Sequence, residues 1–178
     1  MTTLRRLILQ YYPVIAVGLL VLILILLVKT KKENHYVNRK YKYSVRFPDE
    51  WIREKAKPLE ITFKSPDRVP ILDEPEASIT IVVDTRYDDV DLAGHFNIII
   101  RDLDHAGVRF LDSGRGSVGP EDAVWVQFQD ADGLSYHLWY FLFNRTNKLL
   151  IIQYRVSSSS VDKYRSTMTS FLESFNLR

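Results

Sequence analysis

The chain has 178 residues, with 24 Lys and Arg, 22 Asp and Glu, and no Cys. This length suits one folded domain, and a hydrophobic share of 46% excludes wholesale disorder. The absence of Cys excludes disulfides, thiolate zinc sites, Cys nucleophiles and a lipid-modified Cys. Residues 1–42 carry eight Lys and Arg against one Glu, whereas residues 43–178 carry sixteen against 21 acidic residues. Because this larger part is mildly acidic, its charge does not favour nucleic-acid binding.

The most apolar segment lies close to the amino terminus. Residues 14–28 contain no polar side chain, and the wider apolar run 7–28 would extend about 33 Å as a helix, enough to cross the hydrocarbon core of a bilayer. No other part of the sequence could surround a helix that is apolar on all sides. Lysines follow the run directly, without the small-residue pattern of a signal-peptide cleavage site. The sequence therefore predicts a tail over residues 1–12 and a retained transmembrane helix over residues 13–28.

Several residues of this segment are candidates for contacts within or beside the bilayer. Small side chains let a second helix approach closely, and tyrosines are favoured where a helix leaves the membrane. The predicted anchor and helix-packing residues are Pro13, Ala16, Gly18 and Leu22. The predicted interfacial residues are Tyr11 and Tyr12.

The orientation of the predicted anchor has two opposing indications. More Lys and Arg follow the apolar run than precede it, which places the C-terminal domain in the cytoplasm by the positive-inside rule. A short N-terminal tail with Arg5 and Arg6 is instead typical of a signal anchor, which exports the domain on its C-terminal side. The residues 29–41 form a polar, basic tether, whose charge suits anionic headgroups or an acidic neighbour, or is an ordinary solvated flank.

From Tyr43 onward, apolar residues alternate with polar ones, the pattern of β-strands. Residues 134–143 are apolar or aromatic on both faces, so we expect that strand to be covered on both sides. A turn at residues 144–147 predicts an antiparallel hairpin between this strand and residues 149–156. The predicted strands are residues 43–47, 61–64, 77–83, 123–129, 134–143 and 149–156.

Two stretches have helical spacing instead. Apolar residues recur every three or four positions in Val90–Ala106 and again in Ser160–Phe175. Each helix has one apolar stripe, so each should pack on the sheet. The sequence predicts an α+β fold in which helices cover a large antiparallel sheet, with Pro66–Glu76 as a long surface loop.

The segment Tyr41–Trp51 reads YKYSVRFPDEW. Its strand and F-P-x-x-W turn resemble the opening of the PsbP-like family, which includes an extrinsic photosystem II subunit and bacterial relatives. The order of elements and the closing Phe171–Phe175 are also similar to that family, over residues 41–178. The resemblance implies an α/β/α sandwich with a central antiparallel sheet over residues 42–178. It also implies accessory or assembly roles in membrane complexes without a common enzymatic activity, and a position outside the cytoplasm.

Two motifs suggest chemistry, but each lacks an essential part. Gly114–Gly119 fits G-x-G-x-x-G, yet a predicted strand comes after it, where a dinucleotide site requires a helix. Asp130–Gly133 begins like a calcium loop but lacks the later ligands, and it suits a turn between strands. No His spacing of a metal site and no Ser, His and Asp arrangement is visible. We therefore predict no enzymatic activity, no cofactor and no metal site.

Acidic residues accumulate between a predicted strand and the first predicted helix. Asp88 and Asp89 lie in this run, between Asp84 and Asp91. Carboxylates stabilise the start of a helix through its dipole, and a weak cation site or a docking face for a basic partner is the alternative. Asp88 and Asp89 are therefore interface candidates.

Trp125 departs from the alternation of its strand. It lies on the face opposite Val124 and Val126, where a helix or a partner protein must cover it. Trp is frequent at binding hot spots, so Trp125 is an interface candidate, and burial in the core is the alternative.

Together these patterns predict a non-catalytic, single-pass membrane-anchored accessory subunit of a larger integral membrane protein complex, such as a photosynthetic or electron-transfer complex. Its expected partners are that complex and the lipid bilayer, not nucleic acid. The resemblance favours an extracytoplasmic domain over a cytoplasmic one. The alternative hypothesis is an anchored module that binds a small ligand or lipid, which would require a large apolar cavity.

Overall fold

The computed structural model describes residues 34–70, 72–85, 91–143 and 147–178. These residues belong to one unit, Asn34–Arg178, in which a large sheet carries helices on both faces. The elements are β1 (Asn34–Asn38), β2 (Tyr43–Phe47), β3 (Ile52–Arg53), β4 (Glu60–Lys64), β5 (Arg68–Val69), β6 (Glu74–Pro75), β7 (Ala77–Asp84), α1 (Leu92–His105), β8 (Arg109–Val118), β9 (Glu121–Gln129), β10 (Ser135–Phe143), β11 (Leu149–Ser157), α2 (Val161–Ser174) and β12 (Asn176–Leu177). A single 3-10 turn, Ser158–Ser160, leads into α2.

The main sheet has seven strands in the order β3-β4-β7-β11-β10-β9-β8. Every neighbouring pair is antiparallel. The predicted hairpin of β10 and β11 is confirmed, with Tyr140 opposite Ile152. The described residues also form a smaller sheet, β1-β2-β12, and the two-stranded β5-β6 ribbon. The predicted α+β fold with a large antiparallel sheet is therefore confirmed.

Alternation along the strands separates the apolar residues into two cores. One core, here called the α2-side core, lies between the main sheet, α2 and the smaller sheet. The other, the α1-side core, lies between the opposite sheet face and α1. In β10, Leu142 belongs to the first core and Phe141 to the second, and both are fully buried. The strand that the sequence marks as apolar on both faces is thus covered on both sides near its end, at Phe141 and Leu142, whereas residues 136–140 are half-buried.

The two helices begin and end within two residues of their predicted limits. Asp91 caps α1, because its side chain accepts a hydrogen bond from the Gly94 N–H at 2.7 Å. The apolar stripe of α2 buries Tyr164, Met168, Phe171 and Leu172. Phe171 meets Phe63 of β4 edge to face, at 5.8 Å between ring centroids. Burial of each such side chain stabilises the fold by about 1.5–3 kcal/mol.

Two segments have more regular structure than their composition suggests. β1 lies within residues 29–41, the segment that its charge marks as a tether. The ring of Tyr36 packs against Tyr43 and Phe63, at 6.1 and 5.9 Å between centroids, which gives this polar strand an apolar attachment. The loop Pro66–Glu76 contains the β5-β6 ribbon.

The predicted transmembrane helix, residues 13–28, and its flanking residues lie outside the described part of the chain. Within the described part, no helix combines the length and the apolar character needed to cross a membrane.

Candidate interaction surface

Four large side chains on the sheet face of the α2-side core are only half-buried. Trp125 lies on β9, and Tyr136, Leu138 and Tyr140 lie on β10. The register places Tyr140 opposite Trp125, and Trp125 opposite Gly114 of β8. Trp125 therefore projects from the same face as Tyr140, yet it belongs to neither buried core. We call these four residues the aromatic shelf.

Two glycines hold the indole of Trp125 flat against the edge strand. A Cβ atom at Gly114 would lie 2.9 Å from the Trp125 ring, and one at Gly116 would lie 3.3 Å from it. Cβ atoms in proteins essentially never lie as close to another atom as 2.9 Å. The indole therefore occupies space that only a glycine at position 114 leaves open. The indole N–H also donates to the Arg115 carbonyl oxygen at 3.3 Å. Trp125 is therefore fixed in place while part of its ring faces solvent.

Gly114 and Gly116 are also the first two glycines of the G-x-G-x-x-G motif, which here has a structural role. Its third glycine, Gly119, has a φ of 57° and lies in the turn between β8 and β9. Its N–H donates to the Leu172 carbonyl oxygen at 2.9 Å, which joins this turn to the end of α2. Strand β9 comes directly after the motif, as the sequence predicts, so no helix amino terminus is present there to hold a pyrophosphate.

The shelf is electrically neutral under physiological conditions. Burial raises the pKa of the Tyr140 hydroxyl and is also the main cause of the raised pKa of Tyr136. Arg165 of α2 acts on the pKa of Tyr136 in the opposite direction. Arg165 itself pairs with Asp162 at 2.7 Å. The shelf thus offers an uncharged aromatic surface with hydroxyl groups for hydrogen bonding.

The shelf borders an exposed sheet edge. Strand β8 ends the order of the main sheet, and most of its residues are exposed. Phe110 and Leu111 are 50% and 38% exposed, and the register shifts between Phe110 and Asp112. An edge strand has unpaired backbone groups that can pair with another chain. Its bulge and its charged residues, Arg109, Asp112 and Arg115, are features that limit unspecific pairing.

An open depression lies at another part of the domain. Its volume is about 150 Å³, and its lining includes Leu72, Pro75, Leu134 and Arg155. Arg155 is held by Glu74 at 2.6 Å. Ligand pockets for organic molecules are about 300–1,000 Å³, so this depression does not favour the small-ligand hypothesis.

A cluster of charged and polar side chains connects the β5-β6 loop to the start of α2. Lys163 pairs with Glu76 at 2.7 Å and with Asp67 at 3.0 Å, and the Tyr164 hydroxyl donates to Asp67 at 2.7 Å. The Tyr164 hydrogen bond, and after it that of Lys163, lowers the pKa of Asp67. These contacts tie the loop around β5 and β6 to the start of α2.

The Asp130–Gly133 segment is a turn, as the sequence predicts. The Asp132 side chain accepts a hydrogen bond from the Leu134 N–H at 2.9 Å, and Gly133 has a φ of 73°. Asp130 lies 2.9 Å from His137 Nε2. Among the described residues, no three His, Asp or Glu side chains converge into a group that could hold a metal ion.

The structure brings one predicted interface residue, Trp125, together with three residues of the strand that the sequence predicts to be covered on both sides. Tyr136, Leu138 and Tyr140 occur at every second position, and this spacing correctly gives them one shared face. Their partial exposure depends on which strands α2 covers. The spacing of apolar residues along the sequence does not reveal this. The other predicted site residues lie outside the described residues: Tyr11, Tyr12, Pro13, Ala16, Gly18, Leu22, Asp88 and Asp89.

Comparison with known proteins identifies similar folds. No family model matches the chain, and no curated protein matches it by sequence. Cyanobacterial PsbP from Synechocystis sp. PCC 6803 is similar in structure, with a TM-score of 0.61 and 15% identity, over 85% of this chain and 95% of that one. The Ran-binding protein Mog1p of Saccharomyces cerevisiae gives 0.54 and 10%, over 83% and 96%. LpqN of Mycobacterium tuberculosis, involved in cell envelope biogenesis, gives 0.52 and 10%, over 84% and 87%.

These similarities establish a PsbP- and Mog1-like fold, of which the PsbP-like part is what the resemblance in the sequence implies. Functions on a shared fold reside in the surfaces that each protein adds to it.

Proposed function

We propose that this chain is a non-catalytic, membrane-anchored accessory subunit whose folded domain binds a protein of a larger membrane complex through the aromatic shelf. The observation that carries the proposal is the fixed, half-buried Trp125 beside an exposed edge strand. The apolar run of residues 14–28 supports the anchor. The shared fold with PsbP and with the Ran-binding protein Mog1p is consistent with a binding role.

The chemistry of the shelf suits a protein partner better than a small molecule. Trp and Tyr dominate binding hot spots because they bury a large area with few rotatable bonds. The contacts of Trp125 with Gly114 and Gly116 fix its ring before binding, so less conformational freedom is lost on association. A shelf on a sheet face gives a broad surface, whereas a small molecule requires an enclosing pocket.

The experiment begins with the full chain in native membranes. After gentle detergent extraction, blue-native electrophoresis and mass spectrometry should detect it in a larger complex at fixed stoichiometry. Trp125→Ala should reduce its recovery in that complex at least about tenfold, since a hot-spot truncation costs about 2 kcal/mol or more. Ile52→Ala is the matched control, because Ile52 is 56% exposed on β3 at the opposite edge of the sheet.

A second variant separates binding from folding. Leu138→Glu places a charge in the shelf without removing the indole that covers Gly114, and circular dichroism should show an unchanged fold. Recovery of both shelf variants at the wild-type level would overturn the proposed surface. A wild-type chain that migrates alone would overturn the proposed subunit role.

A further inference from the structure

Basic side chains cluster in the turn between β1 and β2. Arg39, Lys40 and Lys42 are all exposed there. The chain end lies beside them, because the Arg178 N–H donates to the Lys42 carbonyl oxygen at 2.7 Å and Arg178 Nε donates to Ser44 Oγ at 3.3 Å. We call Arg39, Lys40, Lys42 and Arg178 the cationic rim.

The turn that carries the rim has a defined conformation. The Asn38 side chain accepts a hydrogen bond from the Tyr41 N–H at 3.0 Å, and Tyr41 is only 7% exposed. Lys42 adopts a φ of 53°, which reverses the chain direction into β2. The Lys40 ammonium lies 5.0 Å from the centre of the Tyr41 ring. The rim charges are therefore presented by a folded hairpin and not by a disordered tail.

The rim cations lack an acidic side-chain partner within the described part of the domain. Elsewhere, Lys57, Lys64, Arg68, Arg155, Lys163 and Arg165 each pair with a carboxylate. No Asp or Glu side chain of the described residues forms an ion pair with a rim residue. Since residues 43–178 carry an excess of acidic residues, the rim is a local positive surface on a mildly acidic domain. Such a surface suits an anionic ligand.

The position of the hairpin in the chain favours a lipid headgroup as that ligand. β1 begins at Asn34, only six residues after Val28, where the predicted anchor ends. Six residues reach at most about 20 Å. The hairpin is the first described element after the predicted membrane segment. The rim lies at the far end of β1, five strand residues further on, so a β1 that lies along the bilayer surface keeps the rim cations within reach of headgroup phosphates.

We propose that the cationic rim binds the phosphates of anionic lipid headgroups and docks the domain on the bilayer. The inference rests on the membrane anchor of the proposed function but not on the aromatic shelf or its partner. Each Lys or Arg close to an anionic bilayer surface contributes about a fivefold preference for the docked state, and salt weakens the effect. Docking through the rim fixes which face of the domain is turned away from the lipid.

The test uses the full chain reconstituted in two kinds of nanodisc. One contains phosphatidylcholine alone, and in the other phosphatidylglycerol makes up one third of the lipid. Because the chain has no Cys, Asn176→Cys, an exposed position on β12, gives one labelling site next to the rim. Energy transfer from that label to a headgroup dye measures docking. Transfer should be higher with phosphatidylglycerol and should fall at high salt.

Neutralising the rim with Arg39→Gln, Lys40→Gln and Lys42→Gln should reduce the docked-to-undocked ratio at least about tenfold. The control neutralises three exposed cations outside the rim and outside edge strand β8, namely Lys55, Lys57 and Arg101, each to Gln, and should keep most of the transfer. Equal effects of the two triple variants, or equal transfer in both lipids, would overturn the proposal.

Two outcomes distinguish this inference from the proposed function. If alkaline carbonate extracts the chain from the membrane, the chain has no transmembrane anchor, and both proposals are overturned. If the rim variant is absent from the native complex while energy transfer to the headgroup dye is unchanged, lipid docking is overturned. This result would indicate an acidic protein as the ligand of the rim.

Discussion

Gly119 and Gly133 share a left-handed backbone conformation but differ in their surroundings. Their φ angles are 57° and 73°. A Cβ atom at Gly119 would lie 2.1 Å from the Phe175 carbonyl oxygen, whereas one at Gly133 would meet no atom within 4 Å beyond its chain neighbours. The first glycine is required by close packing against the end of α2, and the second by backbone geometry alone.

We predict that Gly133→Ala lowers the free energy of unfolding by about 1–2 kcal/mol, the cost of an L-residue in this conformation. Gly119→Ala should cost at least about 3 kcal/mol, because a backbone oxygen must also move. Urea unfolding of the detergent-solubilised chain, monitored by Trp fluorescence, measures both. Equal losses for the two variants would show that the turn and the end of α2 are not in firm contact.

At the scale of elements, the two helices differ in how deeply they are buried. In α1 one residue, His95, is buried, and the apolar residues Phe96, Ile99 and Leu103 are only partly so. In α2 four residues are buried within the larger core. Local opening requires less free energy where less apolar surface is covered. The α1 layer is therefore the weaker attachment to the sheet.

This difference predicts the pattern of hydrogen exchange. Backbone amides in the middle of α1 should exchange at least about tenfold faster than those of α2, because α1 can open without unfolding the sheet. Mass spectrometry of peptides covering residues 92–105 and 161–174 measures this, with β11 as the reference for global unfolding. Equal protection of the two helices would contradict the prediction.

Strands with a regular alternation of apolar residues could be predicted from the sequence. β7 is an example, since burial on the sheet selects its apolar positions. β11 could be predicted from its continuous apolar run instead, because its first four residues are all buried. β1 could not be recognised in this way, because NHYVN contains one large aromatic residue and is embedded among basic residues. β8 was also weakly marked, since its face toward Trp125 carries glycines where an alternating pattern would place apolar side chains.

The candidate site was predictable in part for a related reason. Trp125 occupies a position where the alternation of its strand has polar residues, so the sequence of β9 alone is enough to single it out. The aromatic shelf depends on cross-strand register, and the glycines that fix Trp125 lie eleven and nine positions earlier in the chain. A pairing between strands is not encoded in the spacing along either one, so Trp125 could be singled out from the sequence while its environment could not.

For the molecule as a whole, buried and paired ionisable groups determine how stability depends on pH. On the acid side, burial lowers the pKa of His137 below its ordinary value of 6.5, and the Asp130 carboxylate only partly opposes this. His137 also stacks on Phe128, with ring centroids 4.6 Å apart. A base whose pKa is lowered in the folded state contributes stability that is complete above pH 6.5 and is lost as the pH falls through its folded pKa.

On the alkaline side, burial raises the pKa of the Tyr154 hydroxyl above 10.0. Hydrogen bonds to Glu76 and Asp67 raise the pKa of Lys163 above 10.5. For both groups the folded pKa exceeds the unfolded one, so their contribution is complete below the unfolded pKa and is lost as the pH rises through the folded pKa. The Tyr154 hydroxyl is buried and has no hydrogen-bond partner among the described residues.

We therefore predict a stability plateau between about pH 6.5 and pH 10, with losses on both sides. His137→Phe keeps a ring against Phe128 but cannot ionise, so the loss of stability between about pH 6.5 and pH 5 should shrink. Tyr154→Phe removes an unpaired buried hydroxyl, so it should leave stability near pH 8 unchanged or higher and reduce the loss above about pH 10. Urea unfolding across this range measures each profile. An acid limb that is the same in His137→Phe as in the wild type would assign the loss to other groups, while the alkaline limb tests Tyr154 independently.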